Sequence, residues 1–153
     1  MKIVIAGAGE VGSHLAKMLS GEYHDITVVD DDPKRLESIA GMADVIVIEG
    51  DCTTFSVLKK ASVRKADLFI AVRPEETSNI ISAILAKQLG ARKSIARIDN
   101  NEYLEPNNKE MFIDMGIDYL FYPEQVAADE VINLLGHTST TEYVDFSGGK
   151  LSL

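Results

Sequence analysis

The stretch Met1-Lys2-Ile3-Val4-Ile5-Ala6-Gly7-Ala8-Gly9-Glu10-Val11-Gly12 decides the fold. A short β-branched run, Ile3-Val4-Ile5, meets three glycines spaced G-x-G-x-x-G, and helical spacing starts at once with Val11. In such a turn Gly7 permits the sharp bend, Gly9 lets a pyrophosphate approach the backbone, and Gly12 allows the helix to pack closely on the strand. The free N–H groups of the helix's first turn bind phosphate, aided by the positive end of the helix dipole. Gly7, Ala8, Gly9, Glu10, Val11 and Gly12 are therefore the candidate phosphate cradle. With 11 glycines in 153 residues, this spacing arises by chance in roughly 5% of such chains. The motif gains its weight from lying between a strand and a helix, and a tight βα turn with no ligand is the alternative reading.

Working outward, short β-branched runs alternate with longer segments of helical period, the pattern of a parallel sheet covered by helices. Strands are expected at Lys2 to Ala6, Asp25 to Asp30, Val45 to Glu49, Leu68 to Val72, Lys93 to Ile98 and Tyr119 to Tyr122. Helices are expected at Val11 to Ser20, Pro33 to Ala40, Thr54 to Ala61, Glu75 to Leu89, Tyr103 to Met115 and Glu124 to Leu135. Pro33 suits a first helical turn, where its missing N–H would have had no partner. Gly21, Gly41, Gly90, Gly116 and Gly136 fall where helices should stop. Continuous apolar runs such as Val45-Ile46-Val47-Ile48 fit strands buried on both faces. In the helix Glu75 to Leu89, Ile80 and Ile84 lie beside Ile81 and Leu85 in a stripe wider than a one-sided surface helix requires. The expectation is a Rossmann-like, doubly wound parallel six-stranded sheet with helices on both faces. It occupies residues 1–135, and 136–153 form a linker toward an absent C-terminal domain. Glu142-Tyr143-Val144-Asp145-Phe146 in that linker could make one strand, and the chain reads as a fragment of a longer protein.

Composition bounds the function. The length suits one domain with a sizeable core, and 46% hydrophobic with 25% charged residues exclude wholesale disorder and a fibrous repeat. No apolar window is long enough to span a membrane. The N-terminus runs into glycines after one short apolar stretch, unlike a secretory signal, so a cytoplasmic location is expected. The single cysteine agrees with a reducing compartment. The net charge is −9, and a field of that sign repels phosphate backbones, so no nucleic-acid partner is expected. The pairs Lys34-Arg35, Lys59-Lys60, Arg64-Lys65 and Arg92-Lys93 read as scattered solvated charges.

Ligands of open α/β sheets bind at the carboxyl ends of the strands. Asp30 ends the second strand, where an acidic side chain accepts the ribose hydroxyls of an adenosine and repels a 2′-phosphate. Asp30-Asp31-Asp32 has no adjacent arginine, so NAD or an adenine nucleotide is favoured over NADP. Asp31 joins the candidate site, although either Asp31 or Asp32 could instead cap the helix begun by Pro33. Asp51 could reach the adenine or cap the next helix through Thr53 and Thr54. Ala71, Val72, Arg73 and Pro74 leave the fourth strand and Arg97 the fifth. The two arginines offer cationic forks for phosphate, with exposed ion pairing as the alternative. Cys52 lies beside the pocket and reads as a small buried side chain. His14, His24 and His137 are too dispersed for a metal cluster, and no catalytic set emerges. A dehydrogenase would also need a substrate domain, since about 135 residues go into the nucleotide fold itself. A cofactor-binding domain of a truncated NAD-dependent oxidoreductase is thus the runner-up to a sensor that performs no chemistry.

These residues resemble a known family. Beyond the opening stretch, the likeness rests on Val28-Val29-Asp30, Gly50-Asp51-Cys52-Thr53, Asp67-Leu68-Phe69-Ile70-Ala71-Val72, and Asn79 with Leu85-Ala86-Lys87-Gln88-Leu89-Gly90-Ala91. It continues through Ala96-Arg97-Ile98 and Tyr122-Pro123-Glu124, so it covers Met1 to about Leu135. The chain is similar to the KTN or RCK N-terminal domain family, the TrkA-type cytosolic regulatory subunits of bacterial potassium uptake. The resemblance implies binding of NAD(H) or ATP/ADP, with phosphates on Gly7 to Gly12, ribose on Asp30, the adenine side on Asp51, and the far end on Arg73, Pro74 and Arg97. It also implies a homo-oligomer, a dimer building a ring, that gates a membrane potassium-translocating subunit from the inner face of the membrane. Glu124 matches a position that in some relatives helps hold a divalent cation between subunits. Family members commonly carry a small polar residue where this chain has Arg73 followed by Pro74, a departure that bears on nucleotide choice.

Overall fold

A computed structural model of the chain describes residues 1–137. The elements follow one another as β1 (Lys2–Ala6), α1 (Glu10–Ser20), β2 (Asp25–Asp30), α2 (Pro33–Ala40), β3 (Ile46–Glu49) and α3 (Phe55–Lys60). A 3-10 turn at Val63–Lys65 precedes β4 (Leu68–Ala71), α4 (Glu76–Leu89) and β5 (Lys93–Arg97). A second 3-10 turn at Asn101–Leu104 leads to α5 (Pro106–Asp114), β6 (Tyr119–Phe121) and α6 (Pro123–His137). All neighbouring strands are parallel, in the order β3-β2-β1-β4-β5-β6. The direction of winding reverses between β1 and β4, so the carboxyl ends of these two strands flank the switch point where doubly wound sheets bind ligands.

Alternation along the strands builds two cores. Val4 and Ala6 of β1 join Val29, Phe69 and Ala71 on one face, with Val57 and Leu58 of α3 and Ala83 and Ala86 of α4. Ile3 and Ile5 join Ile26, Val28 and Ile70 on the other, with Ala16 of α1 and Leu36 and Ile39 of α2. Helices thus cover both faces, and period-2 side-chain alternation within apolar runs sorts each residue to its face.

Several local expectations are corrected. β3 is an edge strand with Ile46 64% exposed, because one neighbour and one half-covered face replace the full burial expected of an apolar run. The expected helix from Tyr103 to Met115 is split. Glu105, preceding Pro106, is extended at φ −58° and ψ 141°, as the clash with a following proline ring requires. The buried face of α4 is made of Asn79, Ser82, Ala83 and Ala86. These small residues bring the helix close to the sheet, Ile80, Ile84 and Leu85 flank them, and Ile81 stays 48% exposed. Gly90 is left-handed as expected, whereas Gly21 and Gly41 are right-handed, and α6 runs through Gly136 to His137.

The chain divides into two compact units, Met1–Tyr122 and Pro123–Leu153. Of the second, α6 is the described part, and it exposes Val126, Val131, Ile132 and Leu134. The expected strand Glu142 to Phe146 lies outside the described residues. Among the described residues no helix is long and apolar enough to cross a membrane.

The tightest constraint sits at the first βα turn. A Cβ on Gly12 would lie 1.8 Å from the Gly7 carbonyl oxygen, a clash with backbone that no rotamer relieves. Gly12→Ala is expected to destabilise the fold by at least about 2 kcal/mol, at the upper end of overpacking costs, read as a lowered urea midpoint with unchanged m-value.

Candidate functional site

The glycine turn is held from two sides. Gly7 takes φ +114°, and a Cβ there would meet the Arg73 amide nitrogen at 3.1 Å and Arg73 Cγ at 3.2 Å, so its glycine lets β1 and the end of β4 approach. Gly9 differs, because a Cβ on it would meet nothing within 4 Å. Its bare side opens toward solvent space at the start of α1, and no side chain caps that helix. The helix N-terminus therefore offers its first-turn donors to an incoming anion.

Asp30 is fully buried. Its Oδ2 accepts the Ala8 N–H at 2.6 Å and its Oδ1 accepts the Asp32 N–H at 2.9 Å. The carboxylate thus ties the glycine turn to the start of α2. With the residue fully buried, both oxygens are committed to this backbone tie. Asp32 caps α2 by accepting the Lys34 N–H at 2.9 Å, which settles the choice between the two neighbours of Asp30. Arg35, one turn into α2, folds back to 3.4 Å from Asp32 Oδ2 and 3.9 Å from Asp30 Oδ1. A cation does stand beside Asp30, and adjacency in sequence missed it because helical geometry supplies the proximity. Together with Lys34 it lines a cavity of about 360 Å³ that opens on Ala8, Gly9, Glu10 and Ser13.

Asp31 has another task. Its Oδ2 accepts from Arg73 Nη2 at 2.9 Å. Because β1 lies between β2 and β4, this ion pair spans the carboxyl end of β1 and bridges the crevice above Gly7. The Arg73 side chain is 14% exposed, and its Nε and Nη1 are buried with no hydrogen-bond partner. Burial opposes the charge on Arg73 and is the largest single influence on it, but the hydrogen bond to Asp31 and the negative charges around the guanidinium together outweigh it, and its pKa is raised. The same bond holds the Asp31 carboxyl below its ordinary value. In this arrangement the bridge closes over the expected nucleotide seat; Glu75 Oε2 stands 3.6 Å from Nε without a hydrogen bond, and Nη1 has no acceptor, a demand that phosphate oxygens satisfy well.

The backbone beneath Arg73 is fixed by Asn79, which is fully buried. Its Oδ1 accepts the Arg73 N–H at 2.8 Å, and its Nδ2 donates to the carbonyls of Arg73 at 2.8 Å and Arg97 at 3.1 Å. One amide therefore joins the ends of β4 and β5. Arg97 donates from Nη2 to Asp99 at 3.1 Å, and its Nε is buried without a partner. Glu76, at the start of α4, accepts the N–H groups of Asp99 and Asn100 at 2.8 and 3.0 Å. Neither Asn79 nor Glu76 was predicted as a site residue, since a buried amide on a helix face carries no signal of what it will clamp.

Asp51 accepts the Thr53 N–H at 2.8 Å and the Thr53 hydroxyl at 2.7 Å. Its carboxylate lies on the exposed surface past β3 and shapes the entry into α3. Cys52 has no exposed surface, and burial pushes its thiol pKa up, the state of an inert packed side chain. Ala71 and Val72 are buried in the wall, Pro74 is exposed, and Glu10 and Val11 lie at the surface of the first turn of α1. Glu124 is exposed on α6, and among the described residues no group of three or more His, Cys, Asp or Glu is arranged to hold a metal ion.

Asn79→Leu keeps the branched outline of the side chain and strands the Arg73 N–H together with the carbonyls of Arg73 and Arg97. It is expected to cost at least about 1–3 kcal/mol of stability, the penalty of a single buried unpaired group, measured by urea unfolding of the ligand-free chain.

The sequence model of the TrkA-N domain family matches residues 3–123. Over 154 residues the chain is 40% identical to the Trk system potassium uptake protein TrkA homolog of Archaeoglobus fulgidus, covering 100% of this chain and 34% of that protein. The chain therefore spans about a third of the length of that curated relative. Among solved structures, the TrkA-N domain of the inner membrane protein ybaL from Escherichia coli is similar with a TM-score of 0.75 at 18% identity, covering 88% of this chain and 96% of that one. A GsuK channel bound to NAD is similar with a TM-score of 0.64 at 22% identity, covering 80% of this chain and 21% of that one. Both likenesses are of fold. With its glycine turn, its strand order and its sequence all in agreement, the chain belongs to the TrkA-N domain family.

Proposed function

We propose that this chain is a regulatory nucleotide-binding module that takes NAD(H) or ATP/ADP at the carboxyl edge of its sheet and gates a potassium-translocating membrane protein. The observation that carries the reading is the pairing of Gly9, whose missing side chain leaves open space at the start of α1, with Arg73, whose buried Nη1 lacks an acceptor above the same turn. The relative of Archaeoglobus fulgidus is named as a potassium uptake protein and the GsuK channel as bound to NAD, which supports both halves of the reading. Phosphates rest on Gly7, Ala8, Gly9, Glu10, Val11 and Gly12, the ribose on Asp30 with Asp31 nearby, and the adenine beside Asp51 and Cys52. Ala71, Val72, Arg73, Pro74 and Arg97 form the far wall. Arg73 must leave Asp31 for the phosphates as the nucleotide enters, so binding exchanges one anionic partner for another and opens the bridge across β1.

The role is regulatory and not catalytic. A ligand biases a two-state assembly only through its difference in affinity for the two states, and a charge-sensing arginine supplies such a difference between nucleotides of unequal phosphate number. The assembly is a homo-oligomer of dimers forming a ring, located at the inner face of the membrane through its partner. The exposed apolar side chains of α6 are the surface that supports self-association.

Calorimetric titration with NAD, NADH, ATP, ADP and NADP tests the proposal, with saturable binding of at least one of these nucleotides expected. Gly9→Ala places its methyl in open space and should cost about 1 kcal/mol of stability, the handicap of alanine at a helix N-cap, yet weaken nucleotide binding. Equal affinity in that variant would remove the cradle. Arg97→Ala should narrow the difference between ATP and ADP, and an equal loss for both would remove its sensing role. Turnover of NADH with any small substrate would favour the oxidoreductase reading instead.

A further inference from the structure

The edge of the sheet opposite the glycine turn carries a second concavity. At the end of α3 the chain turns through Ser62, a left-handed residue at φ 54° and ψ 36°, into the 3-10 turn that bears Arg64 and Lys65. The side chain of Arg64 then lies over Gly90, its Cγ 3.4 Å from where a Cβ there would sit, which brings the end of α3 and the end of α4 together. Between them is a cavity of about 640 Å³ rimmed by Lys59, Arg64 and Lys65, with Ser62 and Gln88 as polar neighbours. Its floor is apolar, formed by the buried Leu58 and the half-buried Leu89.

Charge around this hollow is of one sign. No carboxylate lines it, and among the described residues none of Lys59, Arg64 and Lys65 is ion-paired. The Arg92 N–H donates to the Ala66 carbonyl at 3.0 Å, so Arg92 and Lys93 start β5 at the same edge. Nearby acids are engaged elsewhere. Asp67 accepts the Lys2 N–H at 2.8 Å, and Asp118 accepts from Lys87 Nζ at 2.7 Å and from the Ser94 N–H at 2.8 Å. Lys59 and Lys60 complement the dipole at the end of α3, but that reason does not reach Arg64 or Lys65. In a chain of net charge −9, unpaired cations gathered about a hollow run against the overall field.

We propose that this groove docks an acidic segment of a partner protein, in which carboxylates seat on Lys59, Arg64 and Lys65 while an aliphatic side chain enters over Leu89. The volume lies within the range of sites that enclose a ligand, about 300–1,000 Å³, and is far larger than a lone phosphate needs. Concavity with an apolar floor suits a peptide, whereas a flat bilayer would rest on the rim and leave the floor empty. The site lies at the opposite edge of the sheet from the glycine turn and does not depend on nucleotide binding there.

Fluorescence anisotropy of a labelled peptide of repeating Glu-Glu-Leu against the whole 153-residue chain tests the assignment at physiological salt. Saturable binding is expected, with none for the Lys-Lys-Leu counterpart. The pair Arg64→Glu/Lys65→Glu should weaken it about tenfold or more, as loss of charge complementarity does. The milder pair Arg64→Gln/Lys65→Gln should weaken it less. Lys17→Glu/Lys109→Glu, an equal change of charge at exposed positions elsewhere, should leave it unaltered. Absence of saturable binding, or equal loss in both charge-reversed pairs, would overturn the site. Flotation of the chain with phosphatidylglycerol vesicles that is lost on Arg64→Glu/Lys65→Glu, without peptide binding, would overturn it in favour of a membrane surface.

Discussion

The buried carboxylate of Asp30 is the interaction on which the functional edge of this molecule depends. By accepting the Ala8 and Asp32 N–H groups at 2.6 and 2.9 Å, it joins the turn after β1 to the turn after β2. The Ala8 donor would otherwise be buried without a partner, where an unpaired group is costly. The bond fixes the height of the glycine turn relative to the sheet, and with it the direction of the first-turn donors of α1. Gly7 and Gly12 complete the constraint by sterics alone, because backbone approaches backbone where any side chain would stand.

Above this floor lies an ionic bridge. The Arg73 to Asp31 ion pair crosses the end of β1 at 2.9 Å, yet one partner is long, flexible and incompletely satisfied. Asn79 holds the backbone of Arg73 and touches that of Arg97, so the side chains can change partners while their anchor points stay in place. Rigid anchoring with exchangeable ionic partners suits the proposed sensor, since a ligand there would compete with an internal contact and not create order from a disordered loop.

Helix α4 links the two edges of the sheet. Its first turns carry Glu76 and Asn79, which organise the ends of β4 and β5, and its last turn carries Gln88 and Leu89 at the basic groove. The face between them is narrow and small-sided, with Ser82, Ala83 and Ala86 buried against the sheet. Large isoleucines in the same helix suggested a broad apolar interface. Close packing favours small residues at the point of nearest approach and leaves the larger ones to flank it.

Element order, strand direction and the location of the glycine turn were legible in the sequence, because hydrophobic period and glycine spacing are local properties that each segment carries by itself. Asp30 at the end of a strand and Gly9 at the start of a helix could be placed for the same reason. Nothing local could show that Arg73 reaches Asp31 across 42 positions of chain, or that Asn79 clamps two strands. Nor could it show that Lys59, Arg64 and Lys65 surround one hollow: pairs that look scattered along the chain meet because helix ends and strand starts converge at one edge of a parallel sheet. Periodicity determined which face each residue takes. Only the tertiary structure decided which charges share it, because Coulomb and hydrogen-bond partners are chosen by distance in space and not by separation in sequence.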